Sequence, residues 1–223
     1  MKFSAFFFSA EDQFSTQDRY RFILQAAKYM DAQGYYAIWT PERHFQEFGG
    51  AFPNPSVLSA ALSQATTRLQ LRSGCTVLPH HHAVRVAEEW AQVDQLSGGR
   101  AGIGIGIGWH KRDFVFFPDN YARRKEVAFE GIQTIRKLWQ GHSVTVAGVD
   151  GEAVEVNIYP KPVQSSIPIW LVCSTDPQIW VTAGKQGLNI LSLLDNWESL
   201  EKNIKNYRHR SITYRQLIVD VRP

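Results

Sequence analysis

Cysteine is scarce in this chain: Cys75 and Cys173 are the two in 223 residues. They lie far apart and fit no metal-ligand spacing, which argues against a disulfide framework or a cysteine zinc site and points to a reducing compartment. Long hydrophobic runs are also missing, and none approaches the ~20 residues of a membrane span. The apolar start of the chain runs directly into Glu11 and Asp12 with no small-residue cleavage site. A signal peptide is therefore not expected, and a cytoplasmic location is. Charge of one sign is sparse. The formal net charge is +3, and Lys and Arg are scattered apart from Arg123–Lys125. Nucleic acid is accordingly not an expected partner. No low-complexity segment and no dinucleotide fingerprint after the first apolar run are present.

What is present is a regular alternation. Short apolar runs at Lys2–Phe8, Tyr35–Trp39, Leu69–Leu78, Arg100–Ile107, Ile169–Cys173, Leu188–Leu193 and Arg215–Val221 predict seven strands. Between them, residues 17–33, 55–66, 83–96, 121–139, 176–185 and 197–209 carry helical periodicity. Asn54 is placed to cap the second helix with Pro55 in its first turn, and Gly34 and Gly98-Gly99 stop the first and third. Residues 141–162 break the rhythm with short alternating runs around Asp150-Gly151, which predicts a small hairpin. Repeated β-α alternation predicts a parallel sheet with helices outside it, as one domain over 1–223. At 223 residues the chain is shorter than the ~250 typical of an eight-unit β/α barrel.

Four stretches carry candidate chemistry. Trp39-Thr-Pro-Glu-Arg-His-Phe45 ends the second strand with an acid, a permanent cation, an imidazole and an aromatic ring. Ligands of parallel α/β proteins gather at such strand ends, and the free imidazole titrates near neutrality. A plainer reading is an Arg–Glu pair and a surface histidine in a loop. Gly102-Ile-Gly-Ile-Gly-Ile-Gly108 alternates within a strand. Either a flat group approaches that face or a crowded interior demands small residues. Pro79-His-His-His82 has the look of a metal site, yet adjacent histidines on an extended segment diverge and no acidic partner is in register, so no metal is expected. Ser174-Thr175-Asp176-Pro177 opens a helix, with Arg123 and Arg124 at the start of an earlier one. That combination suits an anion, although the same residues also make an ordinary helix cap.

Taken together, Phe3-Ser-Ala-Phe-Phe-Phe-Ser9, Trp39–Phe45, Pro53-Asn-Pro55, Val84-Arg-Val-Ala-Glu-Glu-Trp90, Leu96-Ser-Gly-Gly-Arg100, Gly108-Trp-His110, Phe129-Glu-Gly131 and Pro162-Val-Gln164 resemble the bacterial luciferase-like monooxygenases. The branch most resembled belongs to natural-product biosynthesis, and the resemblance runs over about residues 2–210. It implies a (β/α)8 TIM-barrel type fold that uses reduced FMN as a cosubstrate with O₂, supplied by a separate flavin reductase. The implied substrate is a peptide or polyketide intermediate, free or bound to a carrier protein.

By the same resemblance His44 is the active-site histidine, with Glu42 and Arg43 orienting its loop through an ion pair. Gly74 and Cys75 lie where the family often has a non-prolyl cis peptide under the flavin. Gly106 and Ile107 lie on the strand facing the ring, and Arg123 or Arg124 with Ser174 and Thr175 contact the phosphate. Ile107 replaces the polar residue that relatives carry there. The family's eighth strand and last helices have no counterpart here, so the expected barrel is incomplete, with about seven strands. Its open edges predict a homodimer or a partner subunit. A non-catalytic flavin-binding or partner-subunit protein and a deazaflavin-dependent oxidoreductase are the alternatives.

Overall fold

A computed structural model describes residues 2–7, 15–47, 50–173, 176–193, 196–210 and 217–220. Among these residues, nine strands and six helices follow in order: β1 (Ser4–Phe6), α1 (Thr16–Ala32), β2 (Ala37–Thr40), α2 (Pro55–Ala65), β3 (Gln70–Val77), α3 (Ala83–Ser97), β4 (Ala101–Gly106), α4 (Asn120–Trp139), β5 (Val144–Ala147), β6 (Ala153–Val156), β7 (Ile169–Cys173), α5 (Pro177–Lys185), β8 (Asn189–Leu193), α6 (Trp197–Arg210) and β9 (Leu217–Asp220). Seven strands form one sheet in the order β1-β2-β3-β4-β7-β8-β9, and every pairing in it is parallel. The other two make the expected hairpin, paired antiparallel from Val144↔Val156 to Ala147↔Ala153.

Local chemistry sets the helix ends. The Asn54 side chain accepts from the backbone N–H groups of Ser56 and Val57, with Pro55 in the first turn of α2. Gly98 closes α3 at φ +66°, a left-handed conformation that glycine adopts without Cβ strain. The hairpin turns through Asp150 and Gly151, both at positive φ. Predicted and observed boundaries mostly agree within a residue or two. The first strand is shorter than its apolar run. The second begins at Ala37 instead of Tyr35; the Tyr35 N–H bonds back to Met30 of α1, while Tyr36 already bonds to Phe3 and Gln70.

Side chains alternate across the sheet. Ile38, Leu71, Ile103, Ile105, Ile169, Leu171 and Ile190 join the helices in the main core. The opposite face carries Ala37, Trp39, Trp170 and Leu191. Trp39 on β2 and Trp170 on β7 are separated by two strands, yet their rings meet edge to face at 5.1 Å. The sheet is therefore curled, and this second cluster fills its concave side. Arg72 is buried in it, its guanidinium 4.1 Å from the Trp170 ring centre and 5.0 Å from that of Trp39. Burial pushes the pKa of Arg72 down from the usual arginine range.

Two buried polar groups tie connections to the sheet. Asp94 on α3 accepts from the backbone N–H of Val163 and Gln164, anchoring the return from the hairpin. Arg100 donates to the carbonyls of Ser63, Thr66 and Leu69, which are otherwise open at the end of α2 and the start of β3.

Candidate active site

All seven strands of the curled sheet point their carboxyl ends the same way, and the candidate residues collect there. Pro41 ends β2 and Glu42 follows, buried. Its carboxylate is a hub. His44 lies with Nε2 at 2.8 Å from Oε1, His81 with Nε2 at 2.9 Å from Oε1 and 3.0 Å from Oε2, and the Val77 N–H donates to Oε2 at 3.0 Å. One side chain thus links the ends of β2 and β3. Burial alone would raise the Glu42 pKa, but the contacts with His44, His80 and His81 hold it well below the usual carboxylate range. Burial lowers and the Glu42 carboxylate raises the pKa of His81, and the net direction is upward.

His80 completes the group from the short 3-10 turn Leu78–His80. It is buried, with Nδ1 3.6 Å from Glu42 Oε1, too long for a hydrogen bond, and neither ring nitrogen has a hydrogen-bond partner. Its ring packs edge-on against Phe114 at 4.5 Å. His44 is walled by Phe45 at 5.5 Å and Phe116 at 5.2 Å. Phe45 itself holds φ +55°, an unusual conformation for a bulky residue.

The structure corrects the sequence reading here. The Glu42 carboxylate is met by a cluster of histidines. The missing acidic partner of the His80–His82 run is Glu42, supplied by the neighbouring strand end. The signal for it was the parallel pairing of β2 with β3, which brings residues just after 40 and just after 77 to the same end of the sheet. Glu42, His44 and His80 together present three potential metal ligands within 4.8 Å of one another. The His44–Glu42 spacing of 2.8 Å is that of a hydrogen bond. Two ligands of one tetrahedral ion would stand ~3.3 Å apart at ordinary zinc distances.

The remaining candidates are distributed more widely. The Gly74–Cys75 peptide is cis. Burial, with the Glu42 charge, pushes the Cys75 thiol up to about 12, so it stays protonated at neutral pH. Gly106 ends β4, where a Cβ would stand 2.5 Å from Cys75 Sγ. Ile107 packs, partly buried, against the sheet–helix core. The glycine alternation is explained by the protein's own atoms. A Cβ at 102 would meet the Trp170 ring at 2.9 Å, and one at 104 would meet the Ser73 carbonyl at 2.3 Å.

Arg123 lies where α4 is locally non-helical, and its guanidinium pairs with Glu126 at 2.9 Å on the surface. Arg124 donates to the Tyr121 carbonyl and lies over the Tyr121 ring. Ser174 and Thr175 fall outside the described residues. Lys125, which sequence reasoning passed over, reaches Asp176 at 2.7 Å. Asp176 caps α5 by accepting from the Gln178 N–H. The cationic start of α4 therefore stands against the N-terminus of α5, where free N–H groups suit an anion.

Comparison with known proteins bears on this geometry. The family model described as luciferase-like monooxygenase matches residues 1–216. The chain is 28% identical over 171 residues to a 4-hydroxyprotoasukamycin monooxygenase of Streptomyces nodosus subsp. asukaensis, covering 76% of this chain and 46% of that protein. It is 31% identical over 196 residues to the oxygenase component of a flavin-dependent trigonelline monooxygenase of Acinetobacter baylyi, covering 85% and 53%. The chain thus spans about half the length of these curated relatives.

Among solved structures, monooxygenase RslO1 from Streptomyces bottropensis superposes with a TM-score of 0.89 at 23% identity, covering 98% of this chain and 70% of that one. The oxygenating constituent of 3,6-diketocamphane monooxygenase from Pseudomonas putida, in complex with FMN, superposes at 0.82 and 18% identity over 95% and 62%. An F420-dependent secondary alcohol dehydrogenase superposes at 0.70 and 19% identity over 94% and 64%. These structures show the same curled parallel α/β architecture.

Proposed function

Because this chain belongs to the luciferase-like monooxygenase family, we propose that it is a flavin-dependent monooxygenase using reduced FMN and O₂ on a natural-product intermediate. The observation that carries the reading is His44, braced by a buried carboxylate at the carboxyl end of the sheet and walled by Phe45 and Phe116. The flavin, when bound, supplies the electrons that activate O₂. The chain's own residues supply the rest. His44 exchanges a proton with the bound ligand, a role worth typically ~10²–10⁴-fold in rate. Phe45, Phe116 and the neighbouring Phe114 restrict water around the imidazole. Gly74, Cys75 and Gly106 line the strand ends that the ring system would approach. Arg123, Arg124, Ser174 and Thr175 are proposed to hold the phosphate, and the facing helix starts of α4 and α5 fit that group.

Flavin is favoured over a deazaflavin by the Acinetobacter relative, described as flavin-dependent. Its description as an oxygenase component supports a separate flavin reductase as partner. The asukamycin-type relative supports a natural-product substrate. Self-association or a partner subunit is proposed as well.

The test is stopped-flow absorbance of the protein with reduced FMN mixed with O₂, wild type against His44→Ala, with product assayed on a candidate substrate. The expected outcome is unchanged flavin affinity, altered reoxidation kinetics and loss of product in the variant. Superimposable traces would move the protein to the non-catalytic flavin-binding class.

A further inference from the structure

We propose that Glu42 is a positioning residue that holds His44 as its Nε2–H tautomer, leaving Nδ1 as the atom that exchanges a proton with the bound ligand. The proposal rests on His44 being the proton-handling residue proposed above. The argument begins with valence. An ionised carboxylate has no proton to donate and accepts only. His44 Nε2 stands 2.8 Å from Glu42 Oε1, so that nitrogen carries the hydrogen. In neutral imidazole the other nitrogen then holds the free lone pair. Nδ1 of His44 has no hydrogen-bond partner among the described residues, so it remains available to a ligand.

The carboxylate can enforce this because it is itself immobilised. The Val77 N–H at 3.0 Å belongs to the end of β3, a rigid element. His81 Nε2 at 2.9 Å comes from the turn that follows it. Glu42 is fully enclosed, while the His81 ring is partly exposed and can exchange with solvent. His81 therefore serves as a brace, its Nε2 within reach of both carboxylate oxygens while His44 meets Oε1. The proton balance is simple. A proton taken up at Nδ1 makes an imidazolium whose positive charge lies against the Glu42 carboxylate, and its loss at Nδ1 restores the same neutral tautomer. No proton passes to Glu42 in either direction.

The experiment reads tautomer and turnover separately. Long-range ¹H–¹⁵N spectra of the imidazoles, with His44 assigned by its loss in His44→Ala, report which nitrogen is protonated without any flavin present. The expected wild-type result is a single Nε2–H form. A dominant Nδ1–H form, or an unresolved mixture of the two, overturns the proposal. In Glu42→Gln, whose amide both donates and accepts, the expected result is a mixed tautomer pattern. Product formation should fall by ~10²-fold, while the Kd for reduced FMN stays within about twofold.

A Glu42→Gln variant that turns over like wild type overturns the proposal even if it folds normally. His81→Gln restores a donor near the position of Nε2 and should keep the wild-type tautomer, whereas His81→Ala should not. Equal behaviour of those two variants removes His81 from its bracing role and overturns that part of the scheme. If the tautomer is as proposed but His44→Ala leaves turnover intact, the failure lies in the assignment of His44 as the proton-handling residue, and the positioning proposal falls with it.

Discussion

A single carboxylate organises the entrance to β3. Asp31, at the end of α1, accepts from the backbone N–H groups of Thr67, Arg68 and Leu69 at 3.0, 2.8 and 2.7 Å. Burial works against its charge, but these donors win and bring its pKa from 3.8 down to about 2. A folded-state pKa below the unfolded one gives stability that is present above about pH 4. It is lost as pH falls towards about 2. Asp31→Asn should therefore cost about 1–3 kcal/mol at neutral pH, the range for buried hydrogen bonds of a charged group. Urea titrations at pH 7 and pH 3 should show the gap between wild type and variant narrowing at the lower pH. An equal gap at both would mean that the carboxylate acts through shape and not charge. Glu42 follows the same sign, and His81 the opposite one: its raised pKa contributes stability at low pH that fades as pH rises through the folded value.

At the scale of elements, β4 is packed so tightly that its glycines are structural. The backbone carbonyl of Ser73 blocks a Cβ at 104, whereas a ring edge of Trp170 blocks one at 102. A ring can shift more cheaply than a strand. Gly104→Ala is expected to destabilise by about 1–3 kcal/mol, the usual cost of overpacking, and Gly102→Ala by less. Chemical denaturation of the pair checks the order, and a reversed order would mean that the concave side is less crowded than its contacts imply. The meeting of α4 with α5 makes a second prediction. Arg123 is paired with Glu126 in an exposed i,i+3 contact of the kind that contributes little. It can exchange that partner for a phosphate. Arg123→Ala should weaken FMN by about tenfold, as expected for a lost charge-assisted contact, and leave riboflavin nearly unaffected. Equal loss for both flavins would place the arginine elsewhere in function.

Among the described residues the outer strands of the sheet are β1 and β9. Near the β1 end, Phe3, Phe22 and Tyr29 are all more than 60% exposed, and the last two are seven residues apart on α1. That spacing returns nearly to one face of a helix. Apolar surface of this kind favours association. Light scattering at micromolar concentration is expected to show a dimer, and Phe22→Glu to shift it towards monomer. A wild-type monomer over that range would show that this surface is protected in some other way. No helix among the described residues is long and apolar enough to cross a membrane.

Much of this architecture was legible in the order of the residues. Local rules act over a few positions: periodicity of 2 or 3.6, Asn-Pro at a helix start, glycine at its end, and Asp-Gly in the hairpin. They are enough to place all seven parallel strands, the hairpin and the helices between them, and His44 at a strand end. What the sequence did not disclose depends on contacts between elements far apart in the chain. Glu42 and His81 are brought together because β2 and β3 lie side by side. The glycines of β4 are required by Ser73 and Trp170, residues on two other strands. Side-chain direction, burial of a shared carboxylate and the filling of a concave face are properties of packed neighbours, so only the tertiary structure decides them.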